Sequence, residues 1–281
     1  MDKQVCEMFK NVTMDLEYDP NTKNYKFKDE VSQKYCTDVN CDDDINKINA
    51  VCLFLFNELF GSSDSFNSVA KGNTNIVDYI LIWLKYMLNF KRINENDSIE
   101  SFYEMYINKD NKYNKRIEGV SGYQNYKDLI DKKQNLMSID IKDMSKFYHA
   151  FVLLCEICIE VNEKHTNCNI FSKLANEFAK KYDELNEDYN IGKDSPYNQL
   201  LSTLSNDYNN LKNVCNDFPS LPTYSRRLVI KKTLVPIAFI FVAVSIFLGI
   251  AYKYSLFGFR KRFQKQKLRE KIKNIMKKMI H

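Results

Sequence analysis

The sequence contains little glycine, proline or histidine. Only seven Gly and five Pro occur among 281 residues, and no Pro lies between Asn21 and Ser195. Because β-sandwiches and dinucleotide-binding folds depend on Gly- and Pro-rich turns and on Gly-rich phosphate loops, this scarcity disfavours both classes. Of the three histidines, His281 is C-terminal, and neither His149 nor His165 lies beside a recognisable nucleophile motif. G-x-G-x-x-G, P-loop and H-E-x-x-H motifs are lacking as well. The sequence therefore predicts a protein that is not an enzyme and that binds no cofactor.

Two groups of residues have a composition that suits metal ions. Cys155, Cys158, His165 and Cys168 follow one another at a spacing that resembles a zinc knuckle, and thiolate and imidazole groups suit a tetrahedral metal. However, Cys155 and Cys158 continue the apolar face of a predicted helix, which favours positions in the core or in disulfides. The acidic run Asp42–Asp44 lacks the Gly and the spaced Glu of a calcium loop and is typical of a helix N-terminus. We therefore expect no metal site.

One long segment without charge, Thr233–Tyr252, is the most distinctive feature of the chain. It is bounded by Lys231 and Lys232 before it and by Lys253 after it. A helix of this length spans about 30 Å, which is the thickness of the hydrocarbon core of a bilayer. A core helix of a soluble domain is the alternative, but such helices rarely run so long without a charged side chain. The segment predicts a single-pass membrane protein.

The predicted span separates two parts of opposite charge. Residues 253–281 carry eleven Lys or Arg and one acid, Glu270, whereas residues 1–252 carry 30 Lys or Arg and 35 Asp or Glu. The positive-inside rule places the basic tail in the cytosol and the long N-terminal region on the other side, and four basic residues before the span weigh against that orientation. Met1–Glu30 contains no apolar run, so we expect no cleavable signal peptide.

The basic tail is predicted to contact anionic lipid and not nucleic acid. Leu268, Ile272, Ile275 and Met279 share one side of a helix and basic residues occupy the rest, as in amphipathic helices that lie on a bilayer. A basic run of this kind could also bind nucleic acid, but its position directly after a span favours lipid headgroups. The predicted contacts with the membrane surface are Arg260, Lys261, Arg262, Lys265, Lys267 and Arg269.

Apolar residues at helical spacing predict an all-α ectodomain before the span. One stripe comprises Ile76, Ile80, Trp83, Met87 and Phe90, and a second comprises Met144, Phe147, Phe151, Leu154 and Cys158. The predicted helices are Asp43–Phe60, Asn75–Arg92, Ile99–Ile107, Tyr123–Lys133, Asp143–Val161, Asn169–Leu185 and Pro196–Cys215. The first forty residues are expected to be irregular.

These features divide the chain into four regions. They are a helical ectodomain (1–217), a Pro-containing juxtamembrane stalk (218–232), a transmembrane helix (233–252) and a basic cytosolic tail (253–281). Within the ectodomain, the loops Gly61–Thr74 and Asn108–Gly122 are polar and contain Gly, and they are the predicted sites of contact with partners.

All eight cysteines precede the span, which favours an oxidising compartment on that side and disulfides that reinforce the helical ectodomain. The alternative is a set of reduced, mostly buried thiols in a cytosolic domain. Cys155 and Cys158 are three residues apart on one helix, too far for a bond with each other. Shorter loops close at lower entropic cost, so pairing within each half is preferred. The candidates are Cys6, Cys36, Cys41 and Cys52 in one half and Cys155, Cys158, Cys168 and Cys215 in the other.

Several segments along the whole chain resemble the Plasmodium interspersed repeat (PIR) family, the multigene variant antigens of malaria parasites, in its rodent-parasite branch (yir, bir and cir type). The segments that carry the resemblance are Val5-Cys6, Lys34–Cys36, Asp44–Ala50, Asn75–Leu84, Met144–Tyr148, Tyr197–Leu201 and Tyr252–Arg262. The resemblance implies a helical ectodomain, export to the infected erythrocyte membrane or associated parasite membranes, and a role in antigenic variation and host interaction. It carries over no catalytic residue and no molecular partner.

Two functions of different class follow from these features. The favoured one is a binding and antigen module whose two loops contact a host protein or receptor. The alternative is a structural or trafficking protein of internal parasite-derived membranes that acts through its basic tail.

Overall fold

In the computed structural model of the protein, the chain forms two units, residues 1–223 and residues 224–281. The structure describes residues 1–28, 32–91, 99–163, 168–187, 195–222 and 235–279. The first unit, which we call the helical unit, contains the buried core, which extends from Val5 to Phe218. As predicted, this unit is mainly α-helical. The described part of the second unit is one long helix.

The first forty residues contain a helix and a β-hairpin, so the expectation of irregular structure was wrong. Helix α1 (Lys3–Asp15) begins after Asp2, whose carboxylate accepts a hydrogen bond from the backbone N–H of Gln4. Strands β1 (Leu16–Asp19) and β2 (Asn24–Phe27) pair antiparallel, and a short helix α2 (Ser32–Cys36) follows. Helix α1 buries one narrow face consisting of Val5, Cys6, Phe9 and Val12. Charged and polar residues between these positions hide that face in the sequence.

The centre of the helical unit is built from three long helices, α3 (Asp44–Phe60), α4 (Ile76–Asn89) and α8 (Ile141–Glu163). Helix α4 packs against both α3 and α8, and α8 also packs against α1. The α8 stripe predicted from the sequence is buried throughout, and the α4 stripe is buried except for Phe90, which is 37% exposed. Helix α4 is buried on nearly all sides, so it forms the middle of the core.

Further helices and turns complete the helical unit. They are a π-helical turn (Ser65–Val69), α5 (Ile99–Phe102) with a π-helical turn (Tyr103–Ile107), α6 (Asn111–Asn114), α7 (Tyr126–Asp131), a 3-10 turn (Gln134–Ser138), a 3-10 turn (Cys168–Phe171), α9 (Ser172–Glu187) and α10 (Pro196–Val214). Helix α10 begins after Ser195, whose hydroxyl accepts a hydrogen bond from the backbone N–H of Asn198. Every predicted helix has a helical counterpart, and the ends differ by a few residues.

Buried charges fasten the segment between α7 and α8 to α4. The carboxylate of Asp78 lies 2.8 Å from the Lys133 ammonium and accepts a hydrogen bond from the Thr203 hydroxyl. Lys85 donates to the backbone carbonyls of Met137 and Ile139. Because a buried charge is costly unless it is paired, these contacts fix the path of the chain across α4.

The end of the helical unit includes part of the predicted stalk. Phe218 is buried, the Tyr208 hydroxyl donates to the carbonyl of Pro219 over 2.9 Å, and the Asn186 amide donates to the carbonyl of Pro222 over 3.5 Å. Residues 218–222 therefore pack against α9 and α10. The remainder of the predicted stalk, 223–232, lies outside the described residues.

Helix α11 (Val235–Met279) makes up the described part of the second unit. It is long and apolar enough to cross a membrane, and no other helix in the described part of the chain is. The predicted span occupies its N-terminal part, except for Thr233 and Leu234, which lie outside the described residues. The helix continues without a break into the basic tail, where all six predicted membrane-surface contacts are exposed.

Candidate functional site

The two loops predicted to contact partners lie side by side on the helical unit. Phe66 of the first loop stacks edge to face with Tyr123, directly after the second, with ring centroids 5.3 Å apart. Both rings also pack against Phe60 at the end of α3. A Cβ placed on Gly119 would be 3.8 Å from the Cβ of Ser63. Gly61–Thr74 and Asn108–Gly122 therefore form one continuous surface, which we call the two-loop face.

Buried tyrosines hold the second loop in place. Tyr113 in α6 is fully buried and its hydroxyl donates to the side-chain carbonyl of Asn49 on α3 over 2.9 Å. The Tyr123 hydroxyl donates to the backbone carbonyl of Phe60 over 2.9 Å. Burial raises the pKa of Tyr113 well above its usual value and that of Tyr123 to about 12, so both hydroxyls stay protonated as donors. The loop is thus attached to the core by side chains that point inward.

The outward side of the two-loop face is polar. Its exposed residues are Ser62, Asp64, Asn67, Ser68, Lys71, Asn108, Lys109, Asn111, Asn114, Lys115, Arg116, Glu118 and Ser121, with Gly72, Gly119 and Gly122. These loops are fully described, and neither exposes a large apolar side chain. Gly119 and Gly122 have φ of 75° and 108°, a region that other residues adopt only with strain. The loop can therefore turn sharply while its polar side chains face outward.

Sequence patterns alone did not reveal the anchors of this face. The loops were predicted from Gly and polar content, which says nothing about the tyrosines within and beside them. Tyr113 lies in a short polar stretch with no helical periodicity, and its partner Asn49 lies in the middle of an apolar helix. A buried amide within an apolar helix was the available signal, because such a group needs a hydrogen-bond partner.

Disulfides join four of the eight candidate cysteines. One bond links Cys36 and Cys41, and the other links Cys168 and Cys215 across 47 residues, each within one of the two predicted groups. Cys6, Cys52, Cys155 and Cys158 carry free, buried thiols. For these four, disulfide formation is not observed in the structure. Cys155 and Cys158 do not bond to each other, in agreement with their spacing on α8.

Three of the free thiols form a cluster between α1 and α8. The Cys6 thiol interacts with the thiols of both Cys155 and Cys158. Burial raises the pKa of Cys6 and Cys155, and the hydrogen bond with Cys6 together with burial raises that of Cys158. Because the thiolate is the reactive form, these thiols are protected at neutral pH.

The zinc-knuckle spacing does not produce a metal site in the described residues. The Cys168 sulfur is bonded to Cys215 and is not available as a thiolate, and His165 lies outside the described residues. Within the described part of the chain, no three His, Cys, Asp or Glu side chains are grouped so that they could hold a metal ion. Asp44 of the acidic run instead pairs with Lys47 and Lys91 at 3.1 and 2.7 Å.

Known proteins resemble both the sequence and the fold. The family model described as Plasmodium variant antigen protein Cir/Yir/Bir matches residues 6–253. A solved structure described as a Plasmodium PIR protein ectodomain is similar, with 26% sequence identity and a TM-score of 0.63. The similarity covers 79% of this chain and 97% of the other. No curated protein matches the sequence.

Proposed function

The chain belongs to the Plasmodium variant antigen family Cir/Yir/Bir, and on that premise we propose that it is an exported surface antigen that contacts host molecules through its two-loop face. The helical unit would present this face outside the infected erythrocyte, and α11 would anchor the protein in the membrane. This is a binding role and requires no catalytic group.

The observation that carries this proposal is the construction of the two-loop face. Its exposed side chains are polar, whereas its anchors Tyr113 and Tyr123 are buried in the helical core. Exposed loop residues can be replaced, and loops lengthened, at little cost to stability when the scaffold beneath is intact. A variant antigen needs this separation, because its surface changes between copies while its fold is retained.

The basic tail of α11 supports a membrane location in which the tail lies on the cytosolic side. All of its described basic side chains are exposed, and they begin where the apolar segment ends. We propose that Arg260, Lys261, Arg262, Lys265, Lys267 and Arg269 contact anionic lipid in the cytosolic leaflet. The same eleven Lys and Arg residues favour a second function, in which the protein organises internal parasite-derived membranes and the helical unit is not exposed to the host.

Protease treatment of intact infected cells distinguishes the two functions. Lys71, Lys109 and Lys115 are exposed trypsin sites on the two-loop face. If the protein is a surface antigen, trypsin removes the helical unit while an antibody to residues 265–279 still detects the tail after lysis. Full protection of the helical unit, with cleavage only after permeabilisation, would contradict the proposal and support the internal-membrane function.

Binding to host cells tests the two-loop face directly. Residues 1–223 contain the whole described core, so they are used as a soluble protein. In the test variant, Asn67, Ser68, Asn111, Asn114 and Ser121 are changed to Ala. In a matched control, the exposed residues Asn21, Ser138, Asn176, Ser202 and Asn209 are changed to Ala. We expect reduced binding to host cells for the test variant only. Equal binding of both variants would show that another surface makes the contact.

A further inference from the structure

Four cationic residues lie within one short stretch of the two-loop face. They are Lys109, Lys112, Lys115 and Arg116, all within eight residues of chain. Lys109, Lys115 and Arg116 are exposed and Lys112 is half-buried. Tyr113, in the middle of the stretch, is fully buried and its hydroxyl donates a hydrogen bond to Asn49. The cations therefore belong to a segment that is attached to the core. We call these four residues the loop cation cluster.

The described part of the chain does not neutralise the loop cation cluster. Among the described residues, none of the four side chains forms an ion pair. The lysines that follow behave differently, because Lys127 pairs with Asp131 at 2.5 Å and Lys132 with Asp128 at 3.0 Å. Asp110, the nearest acid in sequence, accepts a hydrogen bond from the backbone N–H of Lys112 and caps α6.

The loop cation cluster is positively charged, whereas the helical unit that carries it has a negative net charge. Residues 1–223 carry 26 Lys or Arg and 35 Asp or Glu, so the helical unit is acidic as a whole. Residues 108–122 carry four basic residues and two acids, Asp110 and Glu118. A local positive site on an acidic protein attracts anionic ligands while the rest of the surface repels them, so the charges also determine where such a ligand binds.

The geometry points to a sulfated glycosaminoglycan of the host cell surface as the ligand of the loop cation cluster. This inference rests on the proposed function of the two-loop face and names the class of its partner. Four cations without an ion pair among the described residues, all within eight positions of one loop, suit a polymer that carries many anionic groups along its length. The exposed amides and hydroxyls beside them, such as Asn111, Asn114 and Ser121, can bind the hydroxyls of sugar rings.

An acidic protein and sialic acid are two other anionic partners, and both fit this surface less well. An interface with a protein depends on exposed aromatic and apolar anchors, whereas the tyrosines here point into the core and the loops expose no large apolar side chain. A sialic acid carries a single carboxylate, which engages one or two of the four cations. A repeating sulfated chain engages all four at once, and each released counterion adds to its affinity.

The test measures binding of residues 1–223 to immobilised heparin, a sulfated glycosaminoglycan, at rising salt. We expect binding that weakens steeply with salt, and the variant K109Q/K112Q/K115Q/R116Q should bind at least about tenfold more weakly. The matched control K28Q/K142Q/K173Q/K180Q removes the same charge from exposed positions elsewhere and should bind within about twofold of the wild type. Thermal unfolding checks that the variants are folded, and K115Q/R116Q replaces the quadruple variant if it is not.

Equal weakening in both variants would overturn the inference, because the binding would then reflect net charge alone. Competition by polyglutamate as strong as that by heparin would also overturn it and indicate an acidic protein partner. On host cells, heparinase and chondroitinase should abolish binding and sialidase should not. If sialidase alone abolishes binding, the glycosaminoglycan is wrong although the two-loop face still functions as proposed. If neither the Ala variant of the two-loop face nor the Gln variant of the loop cation cluster binds host cells more weakly, the proposed function itself is wrong.

Discussion

Replacing Trp83 tests the core on which the two-loop face depends. Trp83 is fully buried in α4, and its indole N–H donates to the hydroxyl of Thr13 on α1 over 3.2 Å. Trp83→Ala removes a large side chain from a site with little room to collapse, which costs about 3–5 kcal/mol. The lost hydrogen bond adds about 1 kcal/mol, because the Thr13 hydroxyl retains its contact with Tyr148 at 3.3 Å. The total is about 4–6 kcal/mol, a large part of the stability of an ordinary domain.

The assay is thermal unfolding of residues 1–223 followed by circular dichroism. At about 2–4 °C per kcal/mol for a unit of this size, Trp83→Ala should lower Tm by roughly 8–24 °C. Trp83→Phe keeps most of the ring and should have a much smaller effect. Met105→Ala is the surface control, since Met105 is 57% exposed and should change stability by less than about 0.5 kcal/mol. A shift below about 2 °C for Trp83→Ala would refute the central position of α4 in the core.

Four further predictions concern sulfur chemistry and the membrane. Replacing both cysteines of the Cys168–Cys215 bond by Ala should lower the free energy of unfolding by about 4 kcal/mol, against about 2 kcal/mol for the Cys36–Cys41 bond. The difference arises because the Cys168–Cys215 bond closes the longer loop, and equal losses of stability in urea unfolding would contradict it. The free thiols of Cys6, Cys52, Cys155 and Cys158 should resist a thiol reagent at pH 7.5 and react in denaturant. Burial raises the pKa of Cys52 to about 12 and also raises the pKa of Cys6 and Cys155, whereas the interaction with Cys6 together with burial raises that of Cys158. Fast labelling of the native protein would show that the thiols are accessible. Alkaline carbonate should leave the full chain in the membrane pellet, and its release would exclude α11 as a span. A peptide of residues 253–281 should bind anionic vesicles more tightly than neutral ones, and R260Q/K261Q/R262Q should weaken this by about 3 kcal/mol; no difference between the vesicles would indicate another partner for the tail.

The sequence was sufficient to predict helices with a wide apolar face. Ile76, Ile80, Trp83 and Met87 recur at helical spacing, and α4 is where this pattern places it. Helix α1 was missed because its buried face is narrow and the residues between are charged, so the average over the segment resembles a polar loop. Only packing against α8 shows that Val5, Phe9 and Val12 form a buried face.

The candidate site was predictable in position and not in arrangement. Gly and polar residues marked Gly61–Thr74 and Asn108–Gly122 as loops, but their proximity results from the packing of Phe66 and Tyr123 on Phe60. The contacts of Tyr123 with Phe60 and Phe66 join residues about sixty positions apart and leave no local pattern. The disulfides were limited in the same way. Proximity along the chain favoured pairing within each half. Cys168 meets Cys215, however, only because α9 and α10 pack against each other and return the chain to Cys168.

The Cys168–Cys215 bond also determines how the protein bears mechanical load. Helices α9 and α10 lie between the two bonded cysteines in sequence, and the chain leaves the helical unit shortly after Cys215. When a force pulls the helical unit away from α11, tension travels along the chain to Cys215. It then passes through the bond to Cys168, near the end of α8, and bypasses the two helices. While the bond is intact, these helices cannot be extended by pulling from the anchored end, although their own contacts are noncovalent.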